Sequence, residues 1–142
     1  VTDFLEQLFQ QQGWAYERQM ALPGRENILA VLPGERPQLW MWEAHQDTVP
    51  HDGMTIPPFD PQVREGRVYG RGSCDIKGGM AAMLTALSRL AELPVSERPT
   101  IVMACSVNEE HGYSGATAIT QLWASGQSRI LPRMPDGVIV AE

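Results

Sequence analysis

A layered α/β domain built on a substantially parallel sheet is the fold class this sequence predicts, and three features predict it. Apolar segments of strand length alternate with helix-length segments through the second half of the chain. The run Leu39 to Ala44 is almost wholly apolar, as a strand covered on both faces should be. Lys77 to Leu93 places Met80, Met83, Leu84, Leu87, Leu90 and Ala91 on one helical stripe.

The remaining elements follow in chain order. Phe4, Leu5, Leu8 and Phe9 have helical spacing within Thr2 to Gln12, and Gly13 supplies the stop. Trp14 to Met20 alternates apolar and polar residues and reads as a strand, followed by a turn at Pro23-Gly24. Asn27 to Leu32 and Leu39 to Ala44 are strands separated by Pro33-Gly34. His45 to Pro61 is proline-rich and aperiodic, a long loop, and Arg67 to Tyr69 is a short strand before a glycine-rich bend. Thr100 to Val107 is a strongly apolar strand. Ser114 to Ser125 is an amphipathic helix ended by Gly126, and Gly137 to Ala141 is a last short strand.

Composition narrows the function classes. The 142 residues suffice for one domain with a real core, and 43% apolar with 20% charged residues are globular proportions. Eleven basic against 17 acidic side chains give a net charge of −6 with no basic stripe, which argues against nucleic-acid binding. No apolar run approaches the roughly 20 residues of a membrane span. Cys74 and Cys105 are too few for a disulfide framework, so a reduced, cytoplasmic protein is expected. The chain starts without Met in what reads as a helix and stops at Glu142 on a strand end; it is expected to be the amino-terminal portion, residues 1–142, of a longer catalytic domain.

In parallel sheets ligands gather beyond the carboxyl ends of strands, and three polar clusters follow directly on strand candidates. His45-Gln46-Asp47-Thr48-Val49-Pro50 comes first. Residues two apart on an extended chain point the same way, so Asp47 can lie beside His45 and hold its imidazole in one tautomer. Tyr69-Gly70-Arg71-Gly72-Ser73-Cys74-Asp75-Ile76-Lys77-Gly78-Gly79 comes second. It fails the dinucleotide and P-loop patterns, and a Cys74 nucleophile has no histidine next to it. Asn108-Glu109-Glu110-His111-Gly112 comes third, two adjacent carboxylates whose side chains diverge, so one can ligate a metal while the other faces a reacting water. Glu142 adds a carboxylate after the last strand. One His and several carboxylates suit Zn²⁺, with Mn²⁺ or Co²⁺ as alternatives.

Taken together, the three motifs resemble the signatures of the dinuclear zinc deacylases and carboxypeptidases, which include acetylornithine deacetylase, succinyl-diaminopimelate desuccinylase, aminoacylase and glutamate carboxypeptidase. The resemblance implies a three-layer zinc-peptidase-like catalytic domain with a mixed, largely parallel sheet, two Zn²⁺ per complete site, and cleavage of an amide bond. It implies His45 and Glu142 as ligands of one zinc, Asp75 as the bridge across a cis Asp75–Ile76 peptide, and Glu110 as ligand of the other. It implies Glu109 as the general base and Asp47 as the clamp on the His45 imidazole. The substrate would be an N-acyl amino acid or small peptide, of the acetylornithine deacetylase kind by motif detail, and the full-length protein can be a homodimer.

Departures accompany the likeness. The lid or dimerisation domain and a further histidine ligand are missing, His51 and His111 do not match that ligand, and these 142 residues alone are expected to be inactive. A non-catalytic relative keeping the fold as a binding or assembly module is the alternative.

Overall fold

The computed structural model describes all 142 residues, Val1–Glu142. The chain folds in the order α1 (Thr2–Gln11), β1 (Ala15–Leu22), β2 (Arg25–Leu32), β3 (Arg36–His45), β4 (Gln62–Arg64), β5 (Arg67–Tyr69), α2 (Gly79–Ala91), β6 (Pro99–Ser106), α3 (Ser114–Ser125) and β7 (Gly137–Val140). Five strands form one sheet in the order β1-β2-β6-β3-β7. The β1–β2 and β2–β6 pairs are antiparallel; β6–β3 and β3–β7 are parallel. Only β2 therefore runs against the other four strands, which is the mixed, largely parallel sheet expected. No helix is long and apolar enough to cross a membrane.

Alternation along the central strands divides the core into two. Ile28, Ala30 and Leu32 on β2, with Ile101, Met103 and Cys105 on β6, face Leu5 and Phe9 of α1 and Met80 and Leu87 of α2. The intervening Leu29, Val102 and Ala104 join Leu39 and Met41 of β3 on the opposite face, against Ile119 of α3 and the Ile130-Leu131 segment. Helices thus cover both faces, making three layers. Each fully buried Leu or Ile here contributes on the order of 1.5–3 kcal/mol.

Most element boundaries agree with the sequence reading, and the departures have local causes. The helix expected from Lys77 begins properly at Gly79, because Asp75 (φ −105°, ψ 98°) and Ile76 (φ −134°, ψ 20°) leave helical dihedrals. The Asp75–Ile76 peptide is cis. The expected strand at Arg67–Tyr69 gains a partner, β4, across a turn with Glu65 at φ 51° and Gly66 at φ 72°. Two successive left-handed residues are what a tight two-residue hairpin turn requires.

A buried amide ties α3 to the end of β6. Asn27 is fully buried and donates to the Gly115 carbonyl at 2.9 Å, while the Val107 amide donates to its Oδ1 at 3.0 Å. Gly115 packs so tightly there that a Cβ would lie 2.2 Å from the Val107 carbonyl oxygen. Asn27→Ala would strand both backbone groups, and we expect a loss of about 2–3 kcal/mol in urea denaturation. A loss below about 0.5 kcal/mol would mean that the amide has no such role.

Candidate metal centre

The parallel pairing sets His45, the last residue of β3, beside Ser106, the last residue of β6. The segments leaving these strands, Gln46-Asp47 and Asn108-Glu109-Glu110, emerge side by side at one edge of the sheet. The turn before α2 delivers Asp75 to the same place. His45, Asp75 and Glu110 each offer a ligand atom there, and these atoms lie within 4.8 Å of one another. The imidazole is almost wholly buried at 1% exposure, whereas the Asp75 side chain is 61% exposed. The cluster thus has a rigid floor and a side open to solvent.

Hydrogen bonds connect the three motifs. His45 Nε2 is 3.0 Å from Asp75 Oδ1, and Nδ1 is 3.1 Å from the Asp47 carbonyl oxygen. A proton on Nδ1 donated to that carbonyl leaves the Nε2 lone pair facing the cluster, as metal ligation requires. The Asp47 clamp is thus made by its backbone. Its carboxylate stands 3.8 Å from Nδ1 and instead accepts the Glu109 amide at 3.2 Å and the Glu110 amide at 3.3 Å. The physical reason is local: two adjacent amides at a turn offer one carboxylate two donors at once. Glu110 Oε1 in turn accepts the Val49 amide at 3.1 Å. Lys77, at the end of the Gly-rich segment, donates to the Gln46 and Asp47 carbonyl oxygens, the latter at 3.2 Å. Its burial pushes its pKa down, against the pull of Asp47 and Asp75.

Two predicted residues lie beside the triad. Glu109 Oε2 is 4.0 Å from His45 Nε2. Desolvation, the largest cause, raises the Glu109 pKa; His45 opposes this, and Glu142, Glu110 and Asp47 add to it. Glu142 is outside the triad and lines a cavity of about 240 Å³ together with Glu43, Ser106, Glu109 and Tyr113. Glu43 escaped the sequence reading. It receives the Ser106 hydroxyl at 2.5 Å, and burial raises its pKa. Its one signal was a lone charge inside the apolar run Leu39 to Ala44. His51 stacks against Phe59 at 5.1 Å, and His111 Nδ1 lies 2.7 Å from the Glu110 carbonyl oxygen, so neither joins the triad.

The donors fit a divalent ion. One imidazole and two carboxylates, converging from a buried floor to an open mouth, form an N/O set of the kind that zinc accepts. Cys74 is exposed and Cys105 buried within the core; neither belongs to the group.

Residues 41–142 match the sequence profile of peptidase family M20/M25/M40. The chain belongs to this family. A succinyl-diaminopimelate desuccinylase of Methylococcus capsulatus is 38% identical over 106 residues, which are 72% of this chain and 28% of that protein. The enzyme of the same name from Gluconacetobacter diazotrophicus is 32% identical over 118 residues, 82% of this chain and 29% of the relative. The chain therefore spans less than a third of the length of these curated relatives. Among solved structures, an M20 metallo-carboxypeptidase from Sulfolobus solfataricus superposes with a TM-score of 0.79 at 19% identity, over 97% of this chain and 31% of that one. Human carnosine dipeptidase 1 gives 0.69 at 24% identity, over 99% and 34%. At these identities the structural likeness establishes the fold of this M20-family chain.

The Asp47 tether is testable without chemistry. Hydrogen bonds to a charged acceptor are worth about 1.5–3 kcal/mol, so Asp47→Ala should speed amide exchange at Glu109 and Glu110 by about ten- to a hundredfold. Unchanged protection of both amides would show that the turn is held by something else.

Proposed function

We propose that the protein is a metal-dependent amidohydrolase, acting on an N-acyl amino acid or a small peptide, and that residues 1–142 are the amino-terminal portion of its single catalytic domain. One observation carries the reading: the ligand atoms of His45, Asp75 and Glu110 lie within 4.8 Å of one another, and a partly exposed Glu109 stands against them. In this reading His45 and Glu142 would hold one Zn²⁺, Glu110 would hold a second, and Asp75 would serve as a ligand to both. Bound divalent ions supply Lewis-acid polarisation of the scissile carbonyl and acidify the attacking water.

The chain's own groups account for the rest. With its proton on Nδ1, donated to the Asp47 carbonyl, the His45 ring would present its Nε2 lone pair to the cluster. Through the Glu109 and Glu110 amides, the Asp47 carboxylate fixes where both acidic side chains leave the backbone. Glu110 is committed at one oxygen to the Val49 amide, which restrains its rotation. Glu109 accepts no hydrogen bond from a protein donor, so its carboxylate is available to take a proton from water and return it to the departing amine. The two adjacent glutamates thereby divide ligation and proton transfer between them.

Among acyl groups, the names of the relatives favour succinyl over the acetyl group of an acetylornithine-type reaction. A cytoplasmic setting agrees with two free thiols, and homodimerisation of the full-length protein belongs to the same reading.

Glu109→Gln in the full-length protein decides the proposed division of roles. General acid–base catalysis is worth about 10²–10⁴-fold, so kcat should fall at least about a hundredfold while zinc content by atomic absorption stays that of the wild type. Undiminished kcat would remove Glu109 from the proton path. Full metal content with no hydrolysis of any acyl amino acid or peptide by the wild type would favour a binding protein instead.

A further inference from the structure

We infer that Lys77 is a positioning residue of the metal centre: its ammonium straps the backbone that follows His45 to the turn that carries Asp75, and so fixes how the imidazole and that carboxylate face each other. The inference rests on the metal-dependent reading above and adds to it a residue outside the ligand set.

Lys77 is half-buried, and its Nζ donates to two consecutive carbonyls, those of Gln46 and Asp47, the latter at 3.2 Å. Successive carbonyls of a pleated strand face opposite sides. Turning two of them to one side sets their dipoles against each other, and a compact point charge between them offsets that repulsion. The Asp47 carbonyl is shared, because it also lies 3.1 Å from His45 Nδ1. Across the ring, Nε2 lies 3.0 Å from Asp75 Oδ1, and Asp75 stands two residues before Lys77 in the chain. His45, the Asp47 carbonyl, Lys77 and Asp75 therefore close a loop of contacts in which each member constrains the next. Ligation of one ion by both His45 and Asp75 would replace their direct contact, and the ammonium would then carry more of the alignment. Arg71 joins the same two segments farther out, at the Pro50 carbonyl. Lys77 is the link next to the ligands.

The lysine is itself held. Its amide donates to the Gly72 carbonyl at 2.8 Å. Gly72 (φ 74°) packs so closely that a Cβ there would lie 3.4 Å from Lys77 Cγ and 2.7 Å from Thr48 Cγ2. Asp47, Asp75 and Glu110 all attract the ammonium, yet it forms an ion pair with none of them. Neutral carbonyls take its hydrogen bonds, which leaves the Asp75 and Glu110 carboxylates uncommitted to a protein cation.

The test reads zinc affinity, which needs no turnover. In the full-length protein, Lys77→Met should bind zinc about ten- to a hundredfold more weakly in competition with a chromophoric chelator, the loss typical when a group supporting a metal-bound histidine is removed. Circular dichroism of the metal-free variant should match the wild type. Aminoethylation of Lys77→Cys in a Cys74→Ser background rebuilds an ammonium of nearly the original reach and should restore most of the affinity, with treated Cys74→Ser alone as control. Ammonium NMR of the wild type checks the strap without altering it. Coupling is reciprocal, so a strap that favours zinc must be favoured by zinc, and loading should slow solvent exchange of the Lys77 ammonium protons about ten- to a hundredfold. Unchanged zinc affinity in a folded Lys77→Met would overturn the inference, as would a loss that aminoethylation leaves unrestored or ammonium exchange as fast as that of a surface lysine in both states. Should Lys77→Met fail to fold, the exchange measurement decides. A wild type that binds no zinc would defeat the metal reading itself, whereas equal binding by wild type and variant would defeat the strap alone.

Discussion

The parallel register of β3 against β6 is the constraint on which the rest of the site depends. Pairing His45 with Ser106 makes both strands end at the same level, so the loops that follow them run side by side. Only then can the Asp47 carboxylate reach the Glu109 and Glu110 amides while its carbonyl meets the imidazole. A slip of one residue would turn His45 to the opposite face of the sheet. The two-sided core opposes that slip, because Met41 and Ala44 of β3 would exchange the layers they pack against.

Gathering strand ends has an electrostatic consequence. Glu43, Asp75, Glu109, Glu110 and Glu142 converge on a small volume, and Lys77 is the ammonium among them, already engaged with two backbone carbonyls. Backbone amides satisfy Asp47 and Glu110, and a serine hydroxyl satisfies Glu43, yet none of these brings a full positive charge. Carboxylates crowded in this way favour a cation or a proton. A divalent ion held by His45, Asp75 and Glu110 would answer that demand.

Much of this was legible in the residues. Period-2 and period-3.6 apolar patterns gave the helices and central strands, and α3 ends at Gly126 (φ 63°) as its sequence predicts. The grouping of His45, Asp75 and Glu110 was visible because each stands in a polar cluster directly after an apolar strand or within a Gly-rich bend. What stayed hidden was set by partners distant in sequence. Glu43 reads as part of a buried strand, and only the Ser106 hydroxyl opposite makes its carboxyl tolerable there. The Asp47 carboxylate has two candidate partners, and local spacing favours the imidazole; the amides 62 and 63 residues away win because they offer two donors together. The position of Glu142 beside Glu109 and Glu43 depends on β7 reaching the sheet edge, which no local pattern encodes.

The central claim is that these side chains hold metal through imidazole nitrogen and carboxylate oxygen, with no thiolate. X-ray absorption at the zinc edge of the zinc-loaded full-length protein tests it most directly. The account predicts a first shell of light atoms at about 2.0–2.2 Å with outer-shell scattering from imidazole, and a second metal at about 3.5–4 Å. A sulfur shell at about 2.3 Å, the signature of a cysteine site, or a spectrum of hydrated zinc without imidazole would contradict it.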